Sequence, residues 1–196
     1  MSDRLERQLA FVVEIDKLKR VLRRTLLTDS SRRENSAEHS WHLAVMAVLL
    51  AEHAAAPVDV HRVIKMLLIH DVVEIDAGDT CLYDEAARAA KDEKERQAAE
   101  RLFGLLPADQ ESELRALWDE FEARESPEAR FAFALDRLQP LLHNVATEGR
   151  SWREHGVVAR QVERANRPMG EGAPGLWERA VRLIEEAVEK GFLPDR

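Results

Sequence analysis

The chain has 196 residues, 45% of them hydrophobic, which is enough to bury the core of one domain. Its formal net charge of −8 excludes a general binder of nucleic-acid polymers but allows a small anionic ligand held by one or two arginines. Cys81 is the only cysteine, so no intramolecular disulfide can form. The N-terminal residues lack the apolar stretch of a signal peptide, and the longest apolar run, residues 43–51, is far too short to span a bilayer. We therefore expect a cytoplasmic protein without membrane contact.

Helical periodicity dominates the first half of the chain, and no stretch alternates with the period of two that is typical of a strand. Apolar residues at three- and four-residue steps predict a first helix that reaches Leu22 and turns this stripe towards the core. A polar loop over residues 28–36 follows. Asn35 and Glu38 then form the pattern of a capping box at the start of a second helix. Asp59 predicts the start of a third helix that continues to Gly78.

The second half of the chain is also predicted to be helical. A charged helix over residues 87–106 and a shorter one over residues 112–125 come first. Ser126 and Pro127 predict the start of a long helix that Pro140 should kink. A loop over residues 166–175 precedes a last helix that Gly191 ends. The sequence therefore predicts a single all-α domain over residues 1–196.

The motif LLIHDVVEI places ionisable side chains inside an apolar run. A lone buried histidine is usually a core residue, but His70, Asp71 and Glu74 stand together on the predicted helix. Burying two carboxylates without partners costs several kcal/mol each, at about the scale known for isolated buried charges. A divalent cation would compensate that cost directly, so this motif is a candidate metal site.

Further ligands must come from other helices. His39 is the best candidate, with His42 as a competitor whose alternative role is a polar residue packed beside Trp41. Asp136 lies on a helix that is apolar on two sides, and its alternative role is a salt bridge to an arginine. Together with His70 and Asp71, these residues make a nitrogen and oxygen set that suits Mn²⁺, Co²⁺, Fe²⁺ or Zn²⁺ better than Ca²⁺.

The ordered segments ENSAEHSWH, LLIHDVVEIDAGD and EARFAFALDRL resemble the HD-domain metal-dependent phosphohydrolases. The pattern is most similar to the 5′-deoxynucleotidase branch of that family, and the resemblance covers residues 18–144. It implies a helical HD-domain bundle with a metal-binding core over about residues 18–146 and a C-terminal helical extension over residues 147–196.

The resemblance also implies the roles of individual residues. It assigns metal ligation to His39, His70, Asp71 and Asp136, catalysis to Glu74 and Asp79, and phosphate binding to Arg23. The metal is one divalent ion per chain, with Mn, Co, Fe, Zn and Mg as candidates. No histidine stands between positions 71 and 136, whereas many binuclear members of the family use extra histidines there, so we expect one metal.

The expected activity is hydrolysis of phosphomonoesters, with deoxynucleoside 5′-monophosphates as substrates and a homodimer as the assembly. Arg24 departs from the tryptophan that deoxynucleotidases tend to place after the phosphate-binding arginine, which keeps another small phosphate ester open as the substrate. A regulatory protein that binds a metal or nucleotide without catalysis is the alternative from a different class. His143, Asn144 and His155 are further candidates to line the pocket.

Overall fold

The computed structural model describes residues 3–79 and 85–196, without the side chains of residues 85–91, so Cys81 lies outside the described part. A 3₁₀ turn, Asp16–Arg20, joins the first helix to a two-stranded hairpin. The helices are α1 (Asp3–Ile15), α2 (Ser36–Leu50), α3 (Val60–Ile69), α4 (Glu74–Ala77), α5 (Glu85–Phe103), α6 (Ala108–Ala123), α7 (Pro127–Ala146), α8 (Arg150–Glu154), α9 (Ala159–Asn166), α10 (Met169–Gly172) and α11 (Pro174–Glu189). The predicted helical fold class is confirmed.

The predicted loop before the second helix is in fact part of a β-hairpin. Strand β1 (Leu22–Leu26) pairs antiparallel with β2 (Arg33–Asn35), and the hairpin lies where we expected a helix end and a polar loop. The side chain of Asp29 accepts a hydrogen bond from the backbone N–H of Ser31 at 2.9 Å, which stabilises the connecting turn. Strands of five and three residues are too short to show a clear alternation in the sequence.

The third predicted helix is interrupted at the His-Asp pair. Helix α3 ends at Ile69 and α4 begins at Glu74, so His70 and Asp71 lie in the turn between two helices. Gly78 then ends α4 with a left-handed φ of 77°, and its N–H donates to the carbonyl of Glu74. The prediction of one continuous helix was wrong, because the apolar run forms two separate helices with a turn between them.

The predicted helix starts are confirmed by their caps. Asn35 and Glu38 form the capping box of α2, and Asp59 accepts hydrogen bonds from two backbone N–H groups at the start of α3. Ser126 caps α7, which then continues through Pro140 to Ala146. Because proline has no N–H, the carbonyl of the residue four positions earlier, Asp136, lacks its usual helical donor.

Helix α7 lies at the centre of the molecule and carries the main core. Phe131 and Leu135 are fully buried in a cluster that also includes Leu43 from α2. The C-terminal segment packs on the same cluster through residues such as Trp152 and Met169. This position gives α7 contact with α2 and α3 on the one hand and with α10 and α11 on the other.

The apolar stripe predicted for α1 is only partly buried. Leu18 is buried, whereas Leu9 and Val12 are 48% and 58% exposed. Phe11 anchors α1 in the core, with its ring 6.5 Å from that of Phe103, centroid to centroid. Polar contacts add to this attachment, among them the guanidinium of Arg7, which donates to the carbonyls of Gly104 and Leu105. None of the described helices has the length and apolar character that a bilayer crossing requires.

Candidate metal centre

The four predicted ligands lie together at one end of α3. His39 comes from the first turns of α2, His70 and Asp71 from the turn after α3, and Asp136 from α7. Nε2 of His39 lies 3.0 Å from Oδ1 of Asp136, and Nε2 of His70 lies 3.7 Å from the same oxygen. Oδ1 of Asp71 is 3.1 Å from Nε2 of His70. All four residues are buried, so the cluster is built into the core.

Both imidazoles are held in one tautomer by their outer nitrogens. Nδ1–H of His70 donates to the backbone carbonyl of Leu67 at 2.9 Å, and Nδ1–H of His39 donates to Oε1 of Gln139 at 3.1 Å. Each of these oxygens can only accept, so both rings turn the lone pair of Nε2 inwards when neutral. Outer hydrogen bonds of this kind orient metal-ligating histidines in many proteins.

The inward-facing atoms fit a divalent cation. The ligand atoms of His39, His70 and Asp136 lie within 4.8 Å of one another, and Nε2 of His70 is buried without a hydrogen bond in the described structure. Two nitrogen lone pairs that face carboxylate oxygens repel unless a cation or a proton lies between them. The donor set of imidazole and carboxylate suits a first-row transition metal or Mg²⁺.

The pKa values in the cluster show which residue is protonated when no metal is bound. Burial, with the charge of Arg23, lowers the pKa of His39 to about 4, so this ring is neutral at pH 7. Burial also disfavours a charged His70, but Asp71 and Asp136 outweigh it and raise the pKa of His70 to about 9. The pKa of Asp136 stays well below its usual range, because Arg137 and the two histidines outweigh its burial. Metal binding would therefore displace a proton from His70.

Arg23 is in direct contact with the predicted ligand Asp71. Its Nη1 donates to Oδ2 of Asp71 at 2.7 Å, and its Nε lies 3.9 Å from Glu34. Burial lowers the pKa of Arg23, but the surrounding carboxylates, Asp71 first among them, raise it above its ordinary value. Arg23 therefore remains a cation next to the predicted ligands, and its Nε has no hydrogen bond among the described residues.

The two predicted catalytic carboxylates lie on the same side of the cluster. Glu74 is 3% exposed, and its Oε2 accepts a hydrogen bond from the hydroxyl of Ser36 at 2.7 Å. Burial and the charge of Asp71 raise the pKa of Glu74 to about 8, which places its proton exchange near neutral pH. Asp79 lines the same cavity as Glu74 and is less buried.

A second cluster behind His39 was not foreseen in the sequence. The amide Nε2 of Gln139 lies 2.6 Å from Oε1 of Glu34, 3.1 Å from Nε2 of His143 and 3.3 Å from Nδ1 of His42. The two amide hydrogens can serve the two nearest of these acceptors, on Glu34 and His143, while the amide oxygen accepts a hydrogen bond from His39. Gln139 stands three residues after Asp136, so helical spacing is the signal that could have placed it beside the ligands.

His42 is thus not among the atoms nearest to the predicted metal position. Its ring lies 6.1 Å from that of Trp41, centroid to centroid, and 5.5 Å from that of His143. Glu34, His42 and His143 could themselves hold an ion by distance alone, since their ligand atoms lie within 4.8 Å. The Gln139 amide already donates into that space, and its two hydrogens can satisfy two of these three acceptors without a metal.

Three of the predicted ligands, His70, Asp71 and Asp136, line a cavity that extends along α7. Its wall includes Arg23, Arg24, Glu74, Asp79, Asn144 and His155. Arg24 is exposed, and its backbone carbonyl accepts a hydrogen bond from Ser151 at 3.0 Å. Of the three further pocket candidates, Asn144 and His155 line the cavity, whereas His143 belongs to the cluster around Gln139.

Comparison with known proteins identifies the family of the chain. A family model described as "HD domain" matches residues 15–177. The chain is 33% identical over 144 residues to 5′-deoxynucleotidase HDDC2 of Bos taurus, an alignment that covers 72% of this chain and 69% of the relative. The human protein of that name is 31% identical over 135 residues, covering 68% of this chain and 65% of the relative, so the chain spans about two thirds of these relatives.

A solved structure is more similar still. It is a predicted metal-dependent phosphohydrolase from Magnetospirillum magnetotacticum, 58% identical, with a TM-score of 0.93 and coverage of 98% of this chain and 100% of that chain. A conserved hypothetical protein from Pyrococcus furiosus has the same fold at 21% identity and a TM-score of 0.63, covering 92% of this chain and 99% of that one. From the family match over most of its length, the chain belongs to the HD-domain family.

Proposed function

We propose that the protein hydrolyses deoxynucleoside 5′-monophosphates to a deoxynucleoside and phosphate. Its coarser class, a metal-dependent phosphohydrolase, is supported by the HD-domain match and by the solved structure of that description at 58% identity. The finer substrate assignment draws on relatives named 5′-deoxynucleotidase at about one third identity. The observation that carries the proposal is the convergence of His39, His70 and Asp136, two of which, His70 and Asp136, line an open cavity.

His39, His70, Asp71 and Asp136 would hold one divalent ion per chain. When bound, such an ion supplies Lewis-acid stabilisation of phosphate charge and a water molecule of lowered pKa. The stoichiometry of one ion per chain follows from the ligand set and from the occupation of the neighbouring Glu34 cluster by the Gln139 amide.

Glu74 and Asp79 divide the two proton transfers of the reaction. A water oxygen bonds to phosphorus, the bond between phosphorus and the 5′ oxygen breaks, and one proton moves from the water to the leaving 5′ oxygen. In the metal-free protein, burial and the charge of Asp71 raise the pKa of Glu74 to about 8. The hydroxyl of Ser36 fixes the orientation of Glu74, which would place it to exchange that proton. Arg23 neutralises the phosphate, because it lines the cavity and its charge is retained at any working pH.

The test is phosphate release from a panel of esters by protein loaded with Mn²⁺, Co²⁺ or Mg²⁺. We expect release from deoxynucleoside 5′-monophosphates that a chelator abolishes and that His70→Ala lacks. His61→Ala is the matched control, since His61 is exposed and lies on the outer surface of α3. Fully metal-loaded wild-type protein that releases phosphate from no nucleotide would overturn the proposal, and release only from other small phosphate esters would replace its substrate.

A further inference from the structure

The cavity extends well beyond the metal cluster along one face of α7. Asp136, Pro140 and Asn144 all line it and are spaced four residues apart, which places them on one face of the helix. At about 1.5 Å of rise per residue, Asn144 lies roughly 12 Å along the axis from Asp136. That distance is comparable with the extended length of a mononucleotide from its phosphorus to the far edge of its base.

The far end of the cavity presents an acceptor atom that needs a partner. Asn144 is 6% exposed, and its Nδ2 donates to the carbonyl of Pro140 at 2.9 Å. A carbonyl can only accept, so the amide orientation is fixed and Oδ1 must be an acceptor. Within residues 3–79 and 85–196, Oδ1 of Asn144 and the buried Nε2 of His155 have no hydrogen-bond partner. Buried polar atoms are nearly always hydrogen-bonded, so a ligand with polar groups fits here.

The walls around these two atoms are apolar. Pro140, Trp152 and Val157 line the same region, and the latter two are 1% and 3% exposed. An apolar slot with a few fixed polar atoms is the usual form of a site for a flat heterocycle. The ring of Phe133, at the opposite end of the cavity, is not free to stack on a base. The guanidinium groups of Arg124 and Arg137 already make cation–π contacts with it, each 4.7 Å from its centroid.

We propose that this far end is a nucleobase subsite in which Asn144 accepts a hydrogen bond from an N–H on the edge of the base. His155 supplies the second polar contact, and Pro140 lies against the ring. The inference rests on the proposed function, because it assumes a phosphate at the metal end of the cavity. It assigns base recognition to residues of α7 and of the segment that follows α8.

The experiment compares two ligands that differ only in the base. Isothermal titration calorimetry on Mn²⁺-loaded Glu74→Gln protein measures the Kd of deoxyadenosine 5′-monophosphate and of 2-deoxyribose 5-phosphate. We expect the nucleotide to bind more tightly, and Asn144→Leu to reduce this preference by roughly 2- to 12-fold, the range of one neutral hydrogen bond. His155→Leu, in a less buried position, should reduce it as well and serves if the first variant does not fold.

Asn166→Leu is the matched control. Asn166 is also buried, also donates from Nδ2 to a carbonyl one turn earlier (Val162, 2.7 Å) and also has an unpartnered Oδ1 in the described structure, but it does not line the cavity. Its substitution should leave the preference for the nucleotide unchanged. Equal wild-type affinity for the two ligands, or an unchanged preference in both cavity variants, would overturn the subsite. A wild-type protein that binds the nucleotide through Asn144 yet releases no phosphate would instead contradict the proposed function.

Discussion

Replacing Gln139 by leucine tests whether the second cluster orients the metal site. The leucine fills similar space but removes the acceptor of the His39 Nδ1–H bond (3.1 Å) and the donor to Glu34 (2.6 Å). A buried acceptor left without its donor costs about 1–3 kcal/mol, so the metal-free protein should unfold at a lower temperature. Loss of an outer hydrogen bond to a ligating histidine typically weakens metal binding about 10- to 100-fold. We therefore expect the Kd for Co²⁺ to rise by that factor.

The assay is a Co²⁺ titration followed by visible absorption, with thermal melting of the metal-free protein in parallel. Asn166→Leu provides the comparison, because it removes a fully packed amide that hydrogen-bonds only within its own helix. It should lower the melting temperature without changing the Kd for Co²⁺. If Gln139→Leu shows the same behaviour as Asn166→Leu, the amide network supports the fold alone and the inferred coupling to His39 is wrong.

Three other predictions concern the substrate, protons and assembly. Arg23→Ala should raise KM about 10- to 100-fold, the range of a charged hydrogen bond. The assay is run at saturating metal, because Arg23 also donates to the predicted ligand Asp71. Arg160→Ala, on the exposed surface, is the control. Because the pKa of His70 is about 9 without metal, binding of Co²⁺ should release a proton from this ring. The apparent affinity for Co²⁺ should therefore fall roughly tenfold per pH unit as the pH is lowered from 8 to 6.5. An affinity that does not change with pH would contradict this. For the assembly, we expect light scattering to give twice the 22.4 kDa chain mass, because Trp41, Val48 and Leu49 on α2 are 65%, 60% and 67% exposed. The substitution Val48→Asp should shift the measured mass towards that of one chain. A single-chain mass for the wild-type protein would exclude the homodimer.

The local parts of the fold were predictable because their signals are short in range. A cap such as Asn35 or Ser126 acts on backbone groups within three residues, so its pattern is visible in the sequence itself. The hairpin and the break after Ile69 depend on tertiary contacts. His70 and Asp71 could serve either a helix or a turn, and only their packing against α7 decides between the two.

The candidate site shows the same division. The motif residues were identified because ionisable side chains in apolar runs are rare and need partners. Gln139 and Glu34 carry no such signal, since an amide within a helix and a carboxylate before a cap are both ordinary on a surface. Their importance appears only when Gln139 is seen between His39 and Glu34, residues about one hundred positions away along the chain.

Metal content and turnover, measured on the same batches of His70→Ala and Glu74→Gln protein, test the central claim most directly. The account predicts that His70→Ala loses both metal and phosphate release, because a ligand is removed. Glu74→Gln should keep one metal per chain while turnover falls by roughly 10²-fold or more, the scale of a lost general acid or base. Loss of metal from Glu74→Gln as complete as from His70→Ala, or full turnover by Glu74→Gln, would contradict the division between metal ligands and catalytic carboxylates.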